Sequence, residues 1–211
     1  MPYAELAKRQ IYYEIHGAGP TVVLLHHGFG ASKMWKDIYP SIVEAGYRVL
    51  LYDRRGYGQS EPGAEFRDFY VSDSLCEENA RDLEELSQQI GLDPFHIVGQ
   101  CEGGVIGVEY AGLFPHRVSS LVIASTLCFG SSTMIEFNGA KFPKPFDDLE
   151  SDIRDKLVYW HGEQYAPTLY EMARTQGGAY GVGMFDLRPR LSLVQCPALV
   201  IYPDRSALFG V

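Results

Sequence analysis

Apolar runs that lack the alternation of a half-exposed strand are the feature that most limits how this chain can fold. A further strand is expected at Val118–Ala124, and the runs without alternation are Thr21–Leu25 and Tyr47–Tyr52. They are typical of strands that are buried on both faces of a sheet. Segments of helical length and spacing separate them, so the sequence predicts βαβ units with right-handed crossovers. The expected fold class is α/β, with a doubly wound and mostly parallel sheet.

The first helix of this pattern is predicted from Lys33 to about Ala45. Ser32 precedes it and is expected to cap it, because a short polar side chain can accept a hydrogen bond from a free amide of the first turn. Gly46 then ends the helix. Two further helices are expected, from Ser72 or Ser74 to about Ile90 and from Gly103 to Phe114, together with strands at Ile11–Ile15, Phe95–Val98 and Ala198–Tyr202.

The alternation stops near Leu127 and resumes with the strand that begins at Ala198. The residues between them are richer in aromatic side chains and glycine, and part of the segment has helical spacing. Because long connections in compact domains usually carry function, we expect a helical lid over the sheet. The predicted division is a core of residues 1–127 and 198–211, with a lid of residues 128–197.

Composition and charge narrow the partners of this chain. A net charge of −9 and a pI near 5.1 disfavour nucleic acid and anionic membranes. The four cysteines are far apart and form no metal or redox motif, and no secretory signal precedes them, so we expect reduced thiols and a cytoplasmic protein. The expected partner is a small molecule, and a homodimer is compatible with the sequence.

The stretch Gly99-Gln-Cys-Glu-Gly-Gly104 carries the clearest chemical signal. It lies between a predicted strand and a predicted helix, which is the context of a nucleophile elbow. Cys101 occupies the nucleophile position, where serine is usual. The N-terminus of the following helix favours its thiolate, whereas the carboxylate of Glu102 opposes ionisation. A small buried cysteine without catalytic role is the alternative.

Three motifs in order resemble the α/β-hydrolase superfamily. His26-His-Gly-Phe-Gly30 is similar to its oxyanion loop, Asp53–Ser60 to its D-x-R-G-x-G-x-S turn, and Gly99–Gly104 to its elbow. The cysteine form of the elbow is similar to those of dienelactone hydrolases and polyester synthases. The layout with a lid inserted after strand six resembles small esterases, lactonases and peroxidase-like members.

This resemblance implies a catalytic role for several residues. Cys101 would attack a carbonyl carbon, and the backbone amides of Phe29 and Glu102 would form the oxyanion hole. The acid would follow the seventh strand, where Asp204 is the candidate. An ordinary turn residue is an equal alternative for Asp204. The side chains of His26 and His27 are expected to hold the loop, and no cofactor or metal is expected.

The catalytic base has no candidate at its usual place in this sequence. In the superfamily the order is nucleophile, acid, histidine. None of the six histidines follows Asp204. We therefore expect the natural polypeptide to continue beyond Val211 and to carry the histidine there. His161 in the lid would need an unusual geometry to replace it.

These residues predict a hydrolase that cleaves a small ester, thioester or lactone through an acyl-enzyme on Cys101. An acyltransferase on the same fold and a ligand-binding protein without catalysis remain alternatives. Aromatic side chains are expected to line the substrate pocket, although such residues more often pack in a core. The candidates are Trp35, Tyr159 and Trp160.

Overall fold

A computed structural model describes residues 3–178 and 183–204 of the chain. A seven-stranded sheet with the order β1-β2-β4-β3-β5-β6-β9 forms its centre. The strands are β1 (Tyr3–Leu6), β2 (Arg9–His16), β3 (Thr21–Leu25), β4 (Arg48–Tyr52), β5 (Phe95–Gln100), β6 (Val118–Ala124), β7 (Phe129–Thr133), β8 (Met184–Asp186) and β9 (Ala198–Ile201). The helices are α1 (Tyr39–Glu44), α2 (Phe66–Tyr70), α3 (Leu75–Gln89), α4 (Glu102–Leu113), α5 (Met134–Lys141), α6 (Ser151–His161), α7 (Ala166–Gln176) and α8 (Arg188–Leu191).

The five strands β4, β3, β5, β6 and β9 are parallel, which confirms the predicted fold class. Both faces of the sheet are covered at β3 and β4, whereas the residues of β9 are exposed. Val23 and Leu25 of β3 pack with α3 and α4, whereas Val22 and Leu24 pack with Trp35 on the opposite face. Two-sided burial is the reason that β3 and β4 are continuous apolar runs in the sequence.

The antiparallel strands β1 and β2 extend the sheet at its N-terminal edge. β1 pairs with β2, and β2 pairs in turn with β4. The sequence did not indicate β1, since its four residues alternate exposed and buried positions within a polar N-terminal segment.

The helix predicted from Lys33 to Ala45 was wrong in its extent. A 3₁₀ turn spans Ser32–Trp35, and α1 begins only at Tyr39. Pro40 explains the division, because proline lacks an amide hydrogen and is tolerated in the first turn of a helix but not in its interior. Ser32 makes no side-chain cap; its amide donates to Asp53 Oδ1 at 2.6 Å.

In its described residues, the segment between β6 and β9 holds the short helix α8 near its end and, before it, the helices α5, α6 and α7. A two-stranded antiparallel pair, β7 with β8, frames these helices and was not anticipated. The division into a core and a lid at residues 128 and 197 stays a prediction. We refer to residues 129–191 as the insertion.

None of the helices in the described part of the chain is long and apolar enough to cross a membrane. Cys101, Cys128 and Cys196 are free cysteines, and Cys76 is buried. The thiol of Cys101 is therefore available for chemistry at the carboxyl edge of the parallel strands.

Candidate active site

Cys101 occupies the sharp turn between β5 and α4. Its backbone has φ 51° and ψ −117°, a conformation that a residue with a side chain adopts at a cost. Hydrogen bonds hold the turn: the Cys101 amide donates to Ala124 O at 2.9 Å, and Cys101 O accepts from the Gly104 amide at 2.9 Å. This is the strained strand-to-helix geometry of a nucleophile elbow.

Glycines around Cys101 make this turn sterically feasible. A Cβ atom on Gly99 would lie 2.4 Å from Gly103 O, and one on Gly103 would lie 2.2 Å from Leu25 O. A Cβ atom on Gly104 would lie 2.0 Å from Thr126 Oγ1. The small residues of the motif are thus required by the close approach of α4 to β3 and to the end of β6.

A cavity of about 690 Å³ opens in front of Cys101. Its walls are mainly apolar and come from both the sheet edge and the insertion. Leu75, Val105 and Leu127 contribute from the sheet side. The insertion contributes Phe137, Phe142, Ile153, Leu157, Trp160 and Tyr170.

The two residues that would supply the oxyanion donors have different contacts. Phe29 and Glu102 both line the cavity with Cys101. The Glu102 amide lowers the pKa of the Cys101 thiol, whereas the Phe29 amide donates to His27 Nδ1 at 3.1 Å. The assignment of both amides to an oxyanion hole stays a prediction, and Phe29 must exchange His27 for a substrate oxygen to serve in it.

The Cys101 thiol is harder to ionise than a free thiol. Burial and the neighbouring Glu102 carboxylate raise its pKa to about 11, against the lowering effects of the Glu102 amide and the Arg54 guanidinium. The expectation that the helix N-terminus favours a thiolate is therefore outweighed by desolvation. At neutral pH the group is a neutral thiol, so a nucleophilic role depends on proton removal.

Both ring nitrogens of His161, the histidine of the insertion, form hydrogen bonds. His161 Nδ1 accepts from the Gly58 amide at 3.0 Å, and Nε2 donates to Phe29 O at 2.9 Å. His161 joins the end of α6 to the loops after β3 and β4, and both ring nitrogens are used. Within residues 3–178 and 183–204, the Cys101 sulfur has no hydrogen bond to a histidine.

His26 and His27 form hydrogen bonds that hold the oxyanion loop, as the sequence predicted. His26 is fully buried; its Nε2 accepts from the Arg54 amide at 3.2 Å, and its Nδ1 donates to His27 O at 2.9 Å. Burial and the nearby Arg54 charge lower the pKa of His26 well below its usual range and that of His27 to about 4. Both rings are therefore neutral at neutral pH.

Acidification is expected to destabilise the fold through these buried histidines. Burial lowers the pKa of His27 and His161 from 6.5 to about 4. Below pH 6.5 the unfolded chain binds protons that the folded chain does not, so stability is complete above that pH and falls as the pH falls towards 4. By pH 5 each histidine is expected to remove about 2 kcal/mol from the free energy of unfolding.

Urea unfolding followed by tryptophan fluorescence at pH 7, 6 and 5 measures this effect. The variant His161→Gln lacks the titrating group and should show a shallower dependence on pH. His116 is exposed, so His116→Gln should retain the dependence of the unaltered chain. Equal stability at pH 7 and pH 5 in the unaltered chain would contradict the prediction.

Of the three aromatic residues predicted to bind substrate, Trp160 lines the cavity. Trp35 is buried against β3 and β4 on the far face of the sheet. Tyr159 is exposed; its ring lies beneath Lys33 and Lys36, and its carbonyl accepts from Lys33 Nζ at 3.1 Å. Successive residues of α6 point in different directions, so Tyr159 and Trp160 do not share a face. Trp35 and Tyr159 do not line the cavity, so the prediction that they bind substrate was wrong.

Asp204 lies three residues beyond β9 and is exposed. It is not among the residues that line the cavity. Its role as the acid stays a prediction, and the neighbouring Arg205–Val211 lie outside the described residues. A group of three or more His, Cys, Asp or Glu side chains that could hold a metal ion is not found in the described residues.

Sequence reasoning missed several residues that shape this site. The insertion lines the cavity through Ile153, Leu157 and Trp160, whose spacing along α6 is that of one helical face. That spacing could have indicated the cavity side. No local signal marks the ion pair between Arg54 Nη1 and Glu102 Oε1, which are 2.5 Å apart and come from segments 48 residues distant.

A family model described as alpha/beta hydrolase fold matches residues 21–171. The chain belongs to this family. The match runs from β3 through the elbow and most of the insertion, so it includes the motifs on which the resemblance rests. It supports the family, whereas the nucleophilic role of Cys101 stays a prediction from this chain's own sequence.

Several relatives are named as hydrolases. A 2-hydroxy-6-oxo-6-phenylhexa-2,4-dienoate hydrolase of Comamonas testosteroni is 30% identical over 173 residues, which are 81% of this chain and 53% of that protein. A 2-hydroxy-6-oxononadienedioate/2-hydroxy-6-oxononatrienedioate hydrolase of Dechloromonas aromatica is 36% identical over 118 residues, which are 54% of this chain and 39% of that protein. The chain thus spans about half the length of the curated relatives it matches, or less.

Solved structures agree on the fold. The enol-lactonase of Burkholderia xenovorans LB400 has a TM-score of 0.73 at 22% identity, over 99% of this chain and 84% of that one. At this level of sequence identity, the similarity shows a shared fold and nothing more.

Proposed function

We propose that this protein is a hydrolase that cleaves an ester, thioester or lactone with an apolar group, with Cys101 as its nucleophile. The observation that carries the proposal is the strained backbone of Cys101, at the end of β5 and facing a cavity. Strain of this kind persists where the surrounding structure imposes it, and it is concentrated at functional sites. The alternative of an inert buried cysteine provides no reason for it.

The proposed reaction passes through an acyl-enzyme. The Cys101 sulfur attacks the carbonyl carbon, a C–S bond forms, and the bond to the leaving oxygen or sulfur breaks. The carbonyl oxygen becomes negatively charged on the way and accepts hydrogen bonds from the Phe29 and Glu102 amides. Water then attacks the thioester and releases the acid and the free thiol.

The walls of the cavity support an apolar substrate. Aromatic and aliphatic side chains predominate, and a volume of about 690 Å³ is in the range of ordinary small-molecule sites. Relatives named as hydrolases and the similar fold of an enol-lactonase favour the same reaction class. The acyl group and the leaving group are not fixed by these features.

Proton removal is the demanding step of this proposal. The pKa of Cys101 is raised to about 11, so about one thiol in a thousand is ionised at pH 8. An activated ester, whose leaving group departs without a proton, is the substrate with which the chain should react most readily. The first step can then be tested separately from turnover.

p-Nitrophenyl butyrate tests the proposal on the full chain. We expect a butyryl group on Cys101 and a first equivalent of p-nitrophenolate, released faster at pH 9 than at pH 7 and followed by slower release as water cleaves the thioester. Mass spectrometry of the intact chain and of its peptides measures the adduct. No adduct at Cys101, or equal labelling of Cys76, Cys128 and Cys196, would overturn the proposal.

A binding protein without catalysis is the second candidate. The raised pKa of Cys101 and the occupied nitrogens of His161 favour it. In that case butyrate esters should quench the fluorescence of Trp160, which lines the cavity, without forming an adduct. A Trp160→Phe variant identifies the tryptophan responsible, because the other tryptophan, Trp35, is buried elsewhere.

A further inference from the structure

Arg54 is buried beneath the elbow, with 1% of its surface exposed. Arg54 comes directly after Asp53, the aspartate that opens the D-x-R-G-x-G-x-S turn after β4. Its guanidinium lies 4.6 Å from the centre of the Tyr57 ring. A cation in such a place is costly unless its donors are paired. Its partners therefore indicate what the charge is positioned to do.

The partners of Arg54 belong to the two segments that supply the predicted oxyanion donors. Nη2 donates to the carbonyl oxygens of His26 and His27, each at 3.3 Å, which precede Gly28 and Phe29 in the oxyanion loop. Nη1 donates to Glu102 Oε1 at 2.5 Å, on the residue after the nucleophile. One side chain thus bonds the loop after β3 and the start of α4 together.

Gly28 allows the Glu102 carboxylate to complete this connection. A Cβ atom on Gly28 would lie 2.9 Å from Glu102 Oε2, so the carboxylate occupies the space that a side chain would fill. The carboxylate therefore lies directly against the oxyanion loop while it pairs with Arg54. The Arg54 guanidinium is planar, so its hydrogen bonds to Glu102 Oε1, His26 O and His27 O have fixed directions. These bonds set the separation between the oxyanion loop and the elbow.

We propose that Arg54 is a positioning residue: through the Glu102 carboxylate and the His26 and His27 carbonyls, it holds the Phe29 and Glu102 amides at the separation that one oxyanion requires. This inference rests on the proposed function. It predicts a specific defect. Without Arg54 the thiol remains able to react, but the reaction that develops charge on a carbonyl oxygen is slowed.

Two reactions of the same thiolate distinguish this role from general support of the fold. In acylation by p-nitrophenyl butyrate, the C–S bond forms at a carbonyl carbon, an oxyanion develops, and p-nitrophenolate leaves. In alkylation by iodoacetamide, the C–S bond forms at a methylene carbon, iodide leaves, and no oxyanion develops. Both rates are proportional to the thiolate fraction, so their ratio at one pH is independent of the pKa of Cys101.

The experiment measures this ratio at pH 9 for the full chain, with peptide mapping at Cys101. For Arg54→Met we expect acylation to slow by about 100-fold relative to alkylation, since a small misplacement of donors has an effect of this size. Arg54→Lys keeps the charge but lacks the planar fork that reaches several acceptors. Its ratio should fall between those of Arg54→Met and the unaltered chain.

Arg117 provides the matched control. It is also an arginine that bonds a carboxylate and a carbonyl, at Glu84 Oε2 and Leu92 O, but it precedes β6 at the opposite edge of the sheet. Arg117→Met should lower the melting temperature and leave the ratio unchanged. Thermal melts of each variant establish that the labelled chains are folded.

The outcomes separate the inference from the proposed function. If the unaltered chain is not acylated at Cys101, the proposed function fails. If it is acylated and Arg54→Met slows both reactions equally, or neither, Arg54 has a structural role and the inference is wrong. If Arg54→Met does not fold, Arg54→Lys and Glu102→Gln decide, because an unchanged ratio in both folded variants overturns the inference.

Discussion

Replacing Cys101 by serine is expected to slow acylation by p-nitrophenyl butyrate at pH 8 by at least about 100-fold, the usual contribution of a general base. A thiol supplies some reactive anion without help, whereas a serine hydroxyl needs a base to remove its proton. In the described residues, the histidines that approach the loops around Cys101 use both ring nitrogens or are held neutral by burial. Release of p-nitrophenolate and the mass of the chain measure the effect.

The Cys101→Ser variant should melt at nearly the same temperature as the unaltered chain, because the two side chains differ little in size. Cys128→Ser serves as the matched control, since that thiol is not among the residues that line the cavity, and it should be acylated normally at Cys101. If the Cys101→Ser variant is acylated at its new hydroxyl as rapidly as the unaltered chain is at its thiol, a functional base acts at this position. That result would contradict the expected dependence on the thiol.

Replacing Gly103 by alanine is expected to lower the free energy of unfolding by about 3 kcal/mol or more, as for severe overpacking in a core. The added Cβ atom would lie 2.2 Å from Leu25 O and 2.7 Å from His26 O. Both are backbone atoms, so α4 must move away from β3. That movement also displaces the amides on either side of Cys101, and acylation should be lost with stability.

Gly139→Ala is the matched control for this substitution. Gly139 also lies in a helix, α5, but a Cβ atom there would meet nothing within 4 Å. Alanine should stabilise the chain by about 0.5–1 kcal/mol, because it favours the helix more than glycine does. Chemical unfolding of both variants measures the contrast. Similar stabilities for Gly103→Ala and the unaltered chain would mean that the approach of α4 to β3 is not as close as described.

Periodicity and motif order were sufficient to predict most of the sheet. The buried strands β3 and β4 follow from local patterns, since two-sided burial leaves a continuous apolar run in the sequence. The elbow follows from its motif. The helix after β3 was misjudged because Pro40 was not weighed against its pattern. The strand pair β7 and β8 was missed because each strand is short and their residues are distant in sequence.

The candidate site was predictable where it depends on the motif itself. Cys101 and the glycines around it are adjacent in sequence, and the structure places them in the strained turn that the motif indicates. The substrate-binding aromatics were less predictable, because the residue type does not tell which face of a helix meets a cavity. Of Trp35, Tyr159 and Trp160, only Trp160 reaches it.

The sequence alone determined the alternation of strands and helices in the parallel part of the sheet, the position of the elbow and the identity of the residue at the nucleophile position, because each depends on residues that are neighbours along the chain. Tertiary structure decided the properties of that residue. Burial and the charges of Glu102 and Arg54 set the pKa of Cys101, and the Arg54 contacts join segments that are far apart in sequence. Desolvation and electrostatic interactions depend on distances in space, and those distances exist only in the folded chain.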